Sequence, residues 1–252
     1  MLFTAPPEPK YYPRVKKENA KGPIVLERLP TCPGLPPSKF AKAIKDRNAQ
    51  LVDNRQMLSF GGGHIPGALN IGPRAELSIW AGWMLDPGKP VFLVLRQDTD
   101  LPEVQRQFIR VGFYKFGGYL LGGIEEWNNE GLPIVSMGQM DVHELNASLS
   151  PKEDLQILDV RTPGERQDGY IPSSTYIFLP ELEKKAERLD KARPVAVYCD
   201  SGYRASLAAS LLLTMGFKDV RNVPGSWQAW EKSGYEVQKT KDRKKGTETN
   251  LS

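Results

Sequence analysis

The sequence is poor in the residues that form cross-links and metal centres. Only two cysteines, Cys32 and Cys199, occur in 252 residues, and they lie far apart. Two cysteines supply no disulfide framework, which predicts a reducing, cytoplasmic compartment. The only histidines, His64 and His143, stand in no metal-ligand spacing. We therefore expect no metal site.

Long hydrophobic runs are also missing. No stretch approaches the roughly 18 consecutive apolar residues of a transmembrane helix, and residues 1–17 have no apolar core of a secretory signal. The 40% hydrophobic and 25% charged content is typical of globular proteins. The length suffices for two domains of ordinary size, so the sequence predicts a two-domain protein. Because long apolar runs are missing, we expect no membrane partner.

The basic residues are concentrated at the two ends of the chain. The net charge is +4, but residues 1–30 and residues 239–252 each carry +3, which leaves −2 on the body between them. A nucleic-acid-binding protein usually has a basic face on its folded part. The charge distribution therefore argues against nucleic acid as a partner.

An internal repeat organises the chain. Five blocks of the first half recur in the second half in the same order, at offsets of 103 to 106 residues. The longest block pairs Leu95–Phe113 with Cys199–Phe217 without a gap, and the others pair LVDNR with ILDVR, GHIPGA with GYIPSS, PVFLVL with PVAVYC, and GGIEEWNNEGLPI with GSWQAWEKSGYEV. We therefore predict two copies of one domain of about a hundred residues.

Each copy alternates short apolar strands with helix-length segments. The runs 156–160 and 195–199 are apolar throughout, as expected for parallel strands covered on both faces. Leu207, Leu211 and Met215 recur at helical spacing. This pattern predicts an α/β fold, with a parallel sheet flanked by helices in each copy.

The predicted domains leave a segment at each end. We place the first domain at 38–136 and the second at 137–238. Residues 1–37 are rich in proline and basic, and we predict an extended linker that lies against the first domain. Residues 239–252 are a charged, low-complexity tail, for which we predict disorder.

The loop after Cys199 carries the chemistry. Cys199 ends a strand, a helix is predicted to begin near Arg204, and Gly202 allows the tight turn between them. Ligands of open α/β sheets bind at such strand ends, and the amides of the turn and of the helix start favour an anion. A thiolate, or the anion Cys–S–S⁻ after sulfur transfer, is stabilised there and is a competent nucleophile. Arg204 adds a fixed positive charge suited to an anionic sulfur donor.

Several motifs resemble those of rhodanese-like sulfurtransferases. In the second copy these are LDVRTPGE (158–165), GYIPSS (169–174), VYCDSGYRAS (197–206) and VPGSWQAW (223–230), and in the first copy LVDNR, GHIPGALNI and LLGGIEEW. The likeness covers residues 38–237 and implies two tandem rhodanese-like domains. It further implies that Cys199 carries a persulfide, that Arg204 binds or orients the donor, and that the loop amides cradle the sulfur. The loop residues concerned are Asp200, Ser201, Gly202, Tyr203 and Ala205.

Other polar and aromatic residues are expected to support this loop. We predict that Asp159, Arg161 and Glu165 form hydrogen-bonded pairs that hold it, and that Trp227 flanks the cleft. His64 is expected to make a structural hydrogen bond, and Cys32 to be a spectator. Trp230, which matches Trp127 of the first copy, is expected in the core, and Tyr203 at the entrance of the site.

The first copy is predicted to be catalytically inactive. The gap-free alignment places Leu95 over Cys199, Asp98 over Gly202 and Asp100 over Arg204. A leucine cannot attack sulfur, and two aspartates repel an anion. We expect this domain to pack against the second one and to form one wall of the active cleft.

The resemblance also has a narrower form. Residues 70–94 and the proline-rich entry, residues 1–37, are similar to the rhodanese pair that follows persulfide dioxygenase domains of the metallo-β-lactamase type. The histidine cluster of such a dioxygenase is absent from this sequence. A persulfide dioxygenase, or another protein of sulfur metabolism, is therefore a candidate partner rather than a part of this chain.

The expected reaction is sulfur transfer from thiosulfate or a low-molecular-weight persulfide to a thiophilic acceptor, without cofactor. Asp200 disfavours a doubly charged donor and so favours a bulkier persulfide such as that of glutathione. Two alternatives stay open. One is a non-enzymatic module that senses sulfur or binds a partner through Cys199. The other is a phosphatase, which the spacing disfavours because cysteine phosphatases place five residues, not four, between cysteine and arginine.

Overall fold

The structure is a computed structural model that describes residues 8–9, 11–22, 26–46, 48–149 and 154–239. All of the predicted tail except Lys239 lies outside the described residues, as do parts of the predicted linker. Within the described ranges, no helix combines the length and the hydrophobicity that crossing a bilayer requires.

The first copy is a parallel sheet of five strands flanked by helices. Its elements are β1 (Gly34–Leu35), α2 (Pro37–Ala43), β2 (Gln50–Asp53), α3 (Met57–Gly62), β3 (Leu69–Asn70), α4 (Leu77–Met84), β4 (Val91–Val94), α5 (Leu101–Ile109), β5 (Phe116–Leu120) and α6 (Gly123–Asn129), with a short 3₁₀ turn at Asp98–Asp100 and a preceding helix α1 (Tyr12–Ala20). The strand order is β1-β5-β4-β2-β3.

The second copy repeats this architecture. Its elements are β6 (Gly138–Gln139), α7 (Val142–Ala147), β7 (Gln156–Asp159), α8 (Pro163–Asp168), β8 (Thr175–Tyr176), α9 (Leu182–Lys185), β9 (Val195–Tyr198), α10 (Tyr203–Thr214), β10 (Val220–Asn222) and α11 (Ser226–Lys232), with 3₁₀ turns at Leu179–Glu181 and Ala186–Arg188. The strand order β6-β10-β9-β7-β8 places each strand where its repeat counterpart lies. The predicted α/β fold with two tandem parallel sheets is confirmed.

The central strands are buried because they are apolar on both faces. All four residues of β4 and all four of β9 are buried, the pattern that distinguishes covered parallel strands from half-exposed antiparallel ones. Pairing registers agree between the copies: Asp53 of β2 pairs with Val94, and Asp159 of β7 pairs with Tyr198. Strand ends that carry polar residues therefore meet at one edge of each sheet.

One hydrophobic cluster spans the two domains. A single cluster of buried side chains contains residues of the first sheet together with Leu158, Val160 and much of α10. Polar groups of α10 are satisfied by the first domain: Ser206 Oγ donates to Asn70 Oδ1 over 2.6 Å, and Asn70 N donates to Ser210 Oγ over 3.0 Å. The helix that follows the cysteine loop is thus held by both domains.

The segment before the first domain is not wholly extended, which corrects the predicted linker. Residues 12–20 form helix α1, with Pro13 in its first turn, where a missing N–H costs nothing. Arg14 donates to the carbonyls of Val111 and Gly112, which follow α5, and the Tyr11 ring packs closely against Gly82. These contacts hold the segment against the first domain. The Arg14 contact is favourable because a cation stabilises the free carbonyls near a helix C-terminus.

Candidate active site

Cys199 lies at the carboxyl end of the buried strand β9, where the chain turns into α10. Gly202 has a φ of 102°, a left-handed conformation that glycine adopts without strain. This turn brings the Gly202 amide to 3.1 Å from the Cys199 Sγ atom, to which it donates. The loop therefore stabilises negative charge on the sulfur by a hydrogen bond.

The carbonyl side of the same loop is fixed by the start of α11. Trp227 N donates to Cys199 O over 3.0 Å, and Gln228 N donates to Asp200 O over 3.0 Å. Ser226 Oγ accepts from Cys199 N over 3.1 Å and donates to Val223 O. These bonds satisfy the loop carbonyls and hold the peptide groups in one orientation.

Arg204 is held in an ion pair with Glu165. Its two terminal nitrogens lie 2.8 and 2.5 Å from the two carboxylate oxygens of Glu165, a bidentate arrangement. Burial alone would raise the pKa of Glu165, but hydrogen bonds from Arg204 and Thr162 outweigh it and lower this pKa to about 2. Burial alone would lower the pKa of Arg204, but the same ion pair raises it. Both groups are therefore charged at neutral pH.

Asp159 and Arg161 form a second, deeper ion pair. Arg161 Nε lies 3.0 Å from Asp159 Oδ1, and its Nη2 donates to both Asp159 Oδ2 and Gly169 O. Both side chains are buried. The ring of Trp227 lies 4.2 Å from the Arg161 guanidinium and belongs to a second, smaller cluster of buried side chains within the second domain. Asp159 and Arg161 thus form a hydrogen-bonded pair against which Trp227 packs, and Trp227 is not among the residues that line the cleft. That this pair holds the Cys199 loop stays a prediction.

A cleft of about 500 Å³ opens above Cys199. The whole residue is only 1% exposed, and it is one of the residues that line the cleft. The lining residues are Arg74, Glu76, Ile79 and Trp80 of the first domain, and Cys199, Asp200, Ser201, Tyr203, Arg204 and Gln228 of the second. The first domain forms one wall of the cleft, as expected. The predicted loop residues Gly202 and Ala205 are buried behind this surface.

Tyr203 joins the loop to the first domain. Its hydroxyl donates to Gly72 O over 3.1 Å, and the guanidinium of Arg74 lies 5.1 Å from the centre of its ring. Burial raises the pKa of the Tyr203 hydroxyl, which therefore stays protonated and keeps this bond. Tyr203 thus lines the cleft and is held against the first domain.

The corresponding loop of the first copy is built differently. After β4 the chain passes Leu95 and enters a 3₁₀ turn at Asp98, whose backbone is not left-handed. The carboxylate of Asp98 accepts from Gly122 N at 3.3 Å, and Asp100 pairs with Arg96 on the surface. In the first copy, the Asp98 carboxylate thus lies in the loop whose counterpart in the second copy donates an amide hydrogen bond to the cysteine sulfur.

His64 and Cys32 lie away from the cleft. His64 Nδ1 lies 3.0 Å from Phe60 O, its ring stacks on that of Phe60, and burial lowers its pKa, so the imidazole is neutral and structural. Burial raises the pKa of the half-buried Cys32 thiol to about 12. A thiol with this pKa is a poor nucleophile at neutral pH.

Six residues of the site were not singled out from the sequence: Arg74, Glu76, Ile79, Trp80, Ser226 and Gln228. Ser226 and Gln228 lie in the motif VPGSWQAW, so their position next to a motif tryptophan was the available signal. Gln228 Nε2 donates to Asp200 Oδ2 over 2.7 Å. Arg74 and Trp80 reach the cleft through domain packing, for which the sequence offers no local signal.

Comparisons with known proteins agree with this architecture. The rhodanese-like domain model matches residues 36–130 and 141–233. A sulfurtransferase of Allochromatium vinosum is 30% identical over 101 residues, which are 40% of this chain and 94% of the relative. Thiosulfate sulfurtransferase GlpE of Coxiella burnetii is 31% identical over 83 residues, which are 33% of this chain and 78% of the relative.

Solved structures include similar single domains. A rhodanese-related protein from Thermoplasma volcanium shares 31% identity and covers 40% of this chain and 97% of its own, with a TM-score of 0.37. The two family matches together span most of the sequence, one for each parallel sheet. The chain therefore belongs to the rhodanese-like family and consists of two such domains in tandem.

Proposed function

We propose that the protein is a sulfurtransferase in which Cys199 carries the transferred sulfur as a persulfide. The observation that carries this proposal is the hydrogen bond from Gly202 N to Cys199 Sγ at the floor of an open cleft. The names of the relatives, sulfurtransferase and thiosulfate sulfurtransferase, support the same reaction class.

The proposed reaction has two displacement steps at sulfur. The Cys199 thiolate attacks the outer sulfur of the donor, a new S–S bond forms, and the donor's S–S bond breaks with its electron pair on the leaving sulfite or thiolate. A thiophilic acceptor such as cyanide, sulfite or a thiol then attacks the outer sulfur of the persulfide. The Cys199–sulfur bond breaks, and the thiolate returns, so neither step needs an added oxidant or reductant.

Arg204 and Asp200 adjust the charge around this sulfur. Glu165 neutralises the charge of Arg204. The guanidinium therefore adds little net attraction for a distant anion, and its role is to orient the groups at the rim of the site. Asp200 lines the cleft and places a carboxylate directly after the nucleophile. Thiosulfate and low-molecular-weight persulfides are both donors within this proposal, and Asp200 favours the less charge-dense persulfide.

The first domain is proposed to be inactive in sulfur transfer. Leu95 replaces the nucleophile, and the Asp98 carboxylate lies beside its loop. Its contribution is one wall of the cleft. A persulfide dioxygenase or another sulfur-metabolism protein remains our proposed partner.

Mass spectrometry of the intact protein tests the proposal. After exposure to thiosulfate or glutathione persulfide, the parent protein and the Cys32→Ser variant are expected to gain one sulfur, and the Cys199→Ser variant none. Repeated turnover of cyanide to thiocyanate then separates an enzyme from a sulfur-sensing module, which would load once and stop. Sulfur uptake that survives Cys199→Ser would overturn the assignment.

A further inference from the structure

The first domain contributes a cation to the cleft that no carboxylate neutralises. Within the described part of the chain, no Asp or Glu oxygen lies in ion-pair distance of Arg74. Its guanidinium instead contacts Ser201 Oγ at 3.3 Å and the ring of Tyr203. Both contacts are weaker than an ion pair, and the side chain is exposed. Arg74 can therefore turn toward a ligand at little cost.

The second guanidinium of the cleft is already in an ion pair, and the other charged groups are carboxylates. Arg204 is paired with Glu165, and Asp200 accepts from Gln228. Glu76 adds a further carboxylate to the same wall as Arg74. With Glu165 counted, the carboxylates outnumber the guanidinium groups by one. A compact dianion therefore gains little from this cleft, whereas a single carboxylate placed at Arg74 gains an ion pair.

The size and lining of the cleft point to an organic donor. About 500 Å³ lies in the range of sites for small organic ligands and far exceeds the volume of an inorganic sulfur anion. Ile79 and Trp80 line the same wall and offer apolar surface to a carbon chain. The wall thus combines apolar contact with one available cation.

We propose that Arg74 is a donor-binding residue contributed by the inactive domain. Its guanidinium binds a carboxylate of an organic persulfide whose outer sulfur lies at Cys199. This inference rests on the proposed sulfurtransferase function and adds the residue that selects the donor. The sulfur chemistry stays with Cys199, and Arg74 acts only on affinity.

Steady-state kinetics with two matched donors test this role. The donors are glutathione persulfide and the persulfide of glutathione diethyl ester, which has the same skeleton with its carboxylates masked. In the parent protein we expect a KM about tenfold lower for the free acid, as for one charged hydrogen bond. Arg74→Gln should raise this KM to that of the ester and leave kcat unchanged, and Arg74→Lys should restore part of the difference.

The matched control is Arg106→Gln, which removes an exposed arginine of α5 that lies outside the cleft. It should keep the parent preference. An Arg74→Gln variant that still prefers the free acid, or that loses kcat alone, overturns the inference. Failure of the proposed function has a different signature, because then neither donor loads sulfur on Cys199 in the parent protein.

Discussion

Glu165 links the start of α8 to the start of α10 through one carboxylate. It closes the capping box at the start of α8, where the Thr162 hydroxyl accepts from Glu165 N and the Thr162 amide donates to the carboxylate. The same carboxylate holds Arg204 at the start of α10. Because these bonds favour the charged form, they connect protonation of Glu165 to the stability of the fold.

Glu165→Gln is therefore expected to make the protein less stable and less sensitive to acid. At about pH 7 the variant should lose roughly 1–3 kcal/mol of unfolding free energy, since the buried Arg204 keeps no full counter-charge. Folding lowers the pKa of Glu165 to about 2 from about 4.5. Its contribution is thus present above about pH 4.5 and is lost as the pH falls toward about 2.

Urea unfolding across this pH range measures both effects. The difference between the parent and Glu165→Gln should shrink as the solution becomes acidic. Glu187→Gln, on an exposed part of the same domain, should match the parent throughout. Equal stability of the parent and Glu165→Gln at neutral pH would contradict the argument.

At the scale of residues, the sequence indicated the positions whose roles depend on near neighbours. Asp159 and Arg161 are two residues apart, and the Cys199 loop lies within one motif, so local spacing predicted both. The pairing of Arg204 with Glu165 joins residues 39 positions apart. Only the packing of α8 against α10 brings them together, and spacing alone carries no such information.

At the scale of elements, α10 lies between two glycines with left-handed backbones. Gly202 precedes the helix with a φ of 102°, and Gly216 follows it with a φ of 90°. A Cβ atom at Gly202 would lie 3.0 Å from Met57 Sδ and 3.2 Å from Pro224 Cα, whereas one at Gly216 would meet nothing within 4 Å. A side chain would thus meet backbone strain at both positions, but close neighbours only at Gly202.

Alanine substitutions at these two glycines should separate the loss of unfolding free energy caused by backbone strain from a change in the rate of sulfur loading. Each is expected to cost about 1–2 kcal/mol of unfolding free energy, because alanine resists a left-handed backbone. Gly202→Ala must also move the amide that donates to Cys199 Sγ, and should slow sulfur loading of Cys199 by about tenfold or more. Rapid-mixing mass spectrometry measures this rate. Gly216→Ala is the control, and an equal loss of rate in both variants would refute the role of Gly202.

The internal repeat made the elements of the two domains predictable, but the prediction was wrong for the segment that precedes the first domain. Because the same five blocks occur in both copies, the sequence predicted one parallel sheet flanked by helices for each copy. Among the described residues, helix α1 has no counterpart in the other copy, and its proline content suggested an extended chain. The structure places Pro13 in the first turn, where it is compatible with a helix.

At the scale of the whole molecule, the interface between the domains is polar as well as apolar. Asn70, at the edge of the first sheet, accepts from Ser206 through Oδ1. Its Nδ2 donates to Asp53 O and Arg55 O over 3.1 and 2.9 Å. All these groups are buried, so each depends on its partner for a hydrogen bond.

Asn70→Ala is expected to weaken the joint between the domains. The substitution leaves the buried Ser206 hydroxyl and Arg55 carbonyl without the partners they have in the parent, at a cost of roughly 2–3 kcal/mol, while Asp53 O keeps the amide of Ile71. Thermal and urea unfolding measure this change. Asn129→Ala, an exposed position on α6, should leave stability within about 0.5 kcal/mol of the parent. A fully stable Asn70→Ala variant would mean that the interface does not depend on this network.

The division of the cleft between two domains could be anticipated only in outline. Self-similarity predicted that an inactive copy packs beside an active one, and hence that it walls the cleft. Which of its residues face Cys199 depends on the angle at which α10 meets β3. That angle follows from the shared core and from Asn70, and no single motif specifies it.

The bonds from α11 to the loop carbonyls have a consequence for the rate of the proposed reaction. A free thiolate in water is surrounded by solvent dipoles that must rearrange whenever charge moves from one sulfur to the next. Around Cys199 the peptide dipoles are already fixed by Trp227 and Gln228. Because this environment has no need to reorganise during turnover, part of the activation barrier is removed when the chain folds, before any donor arrives.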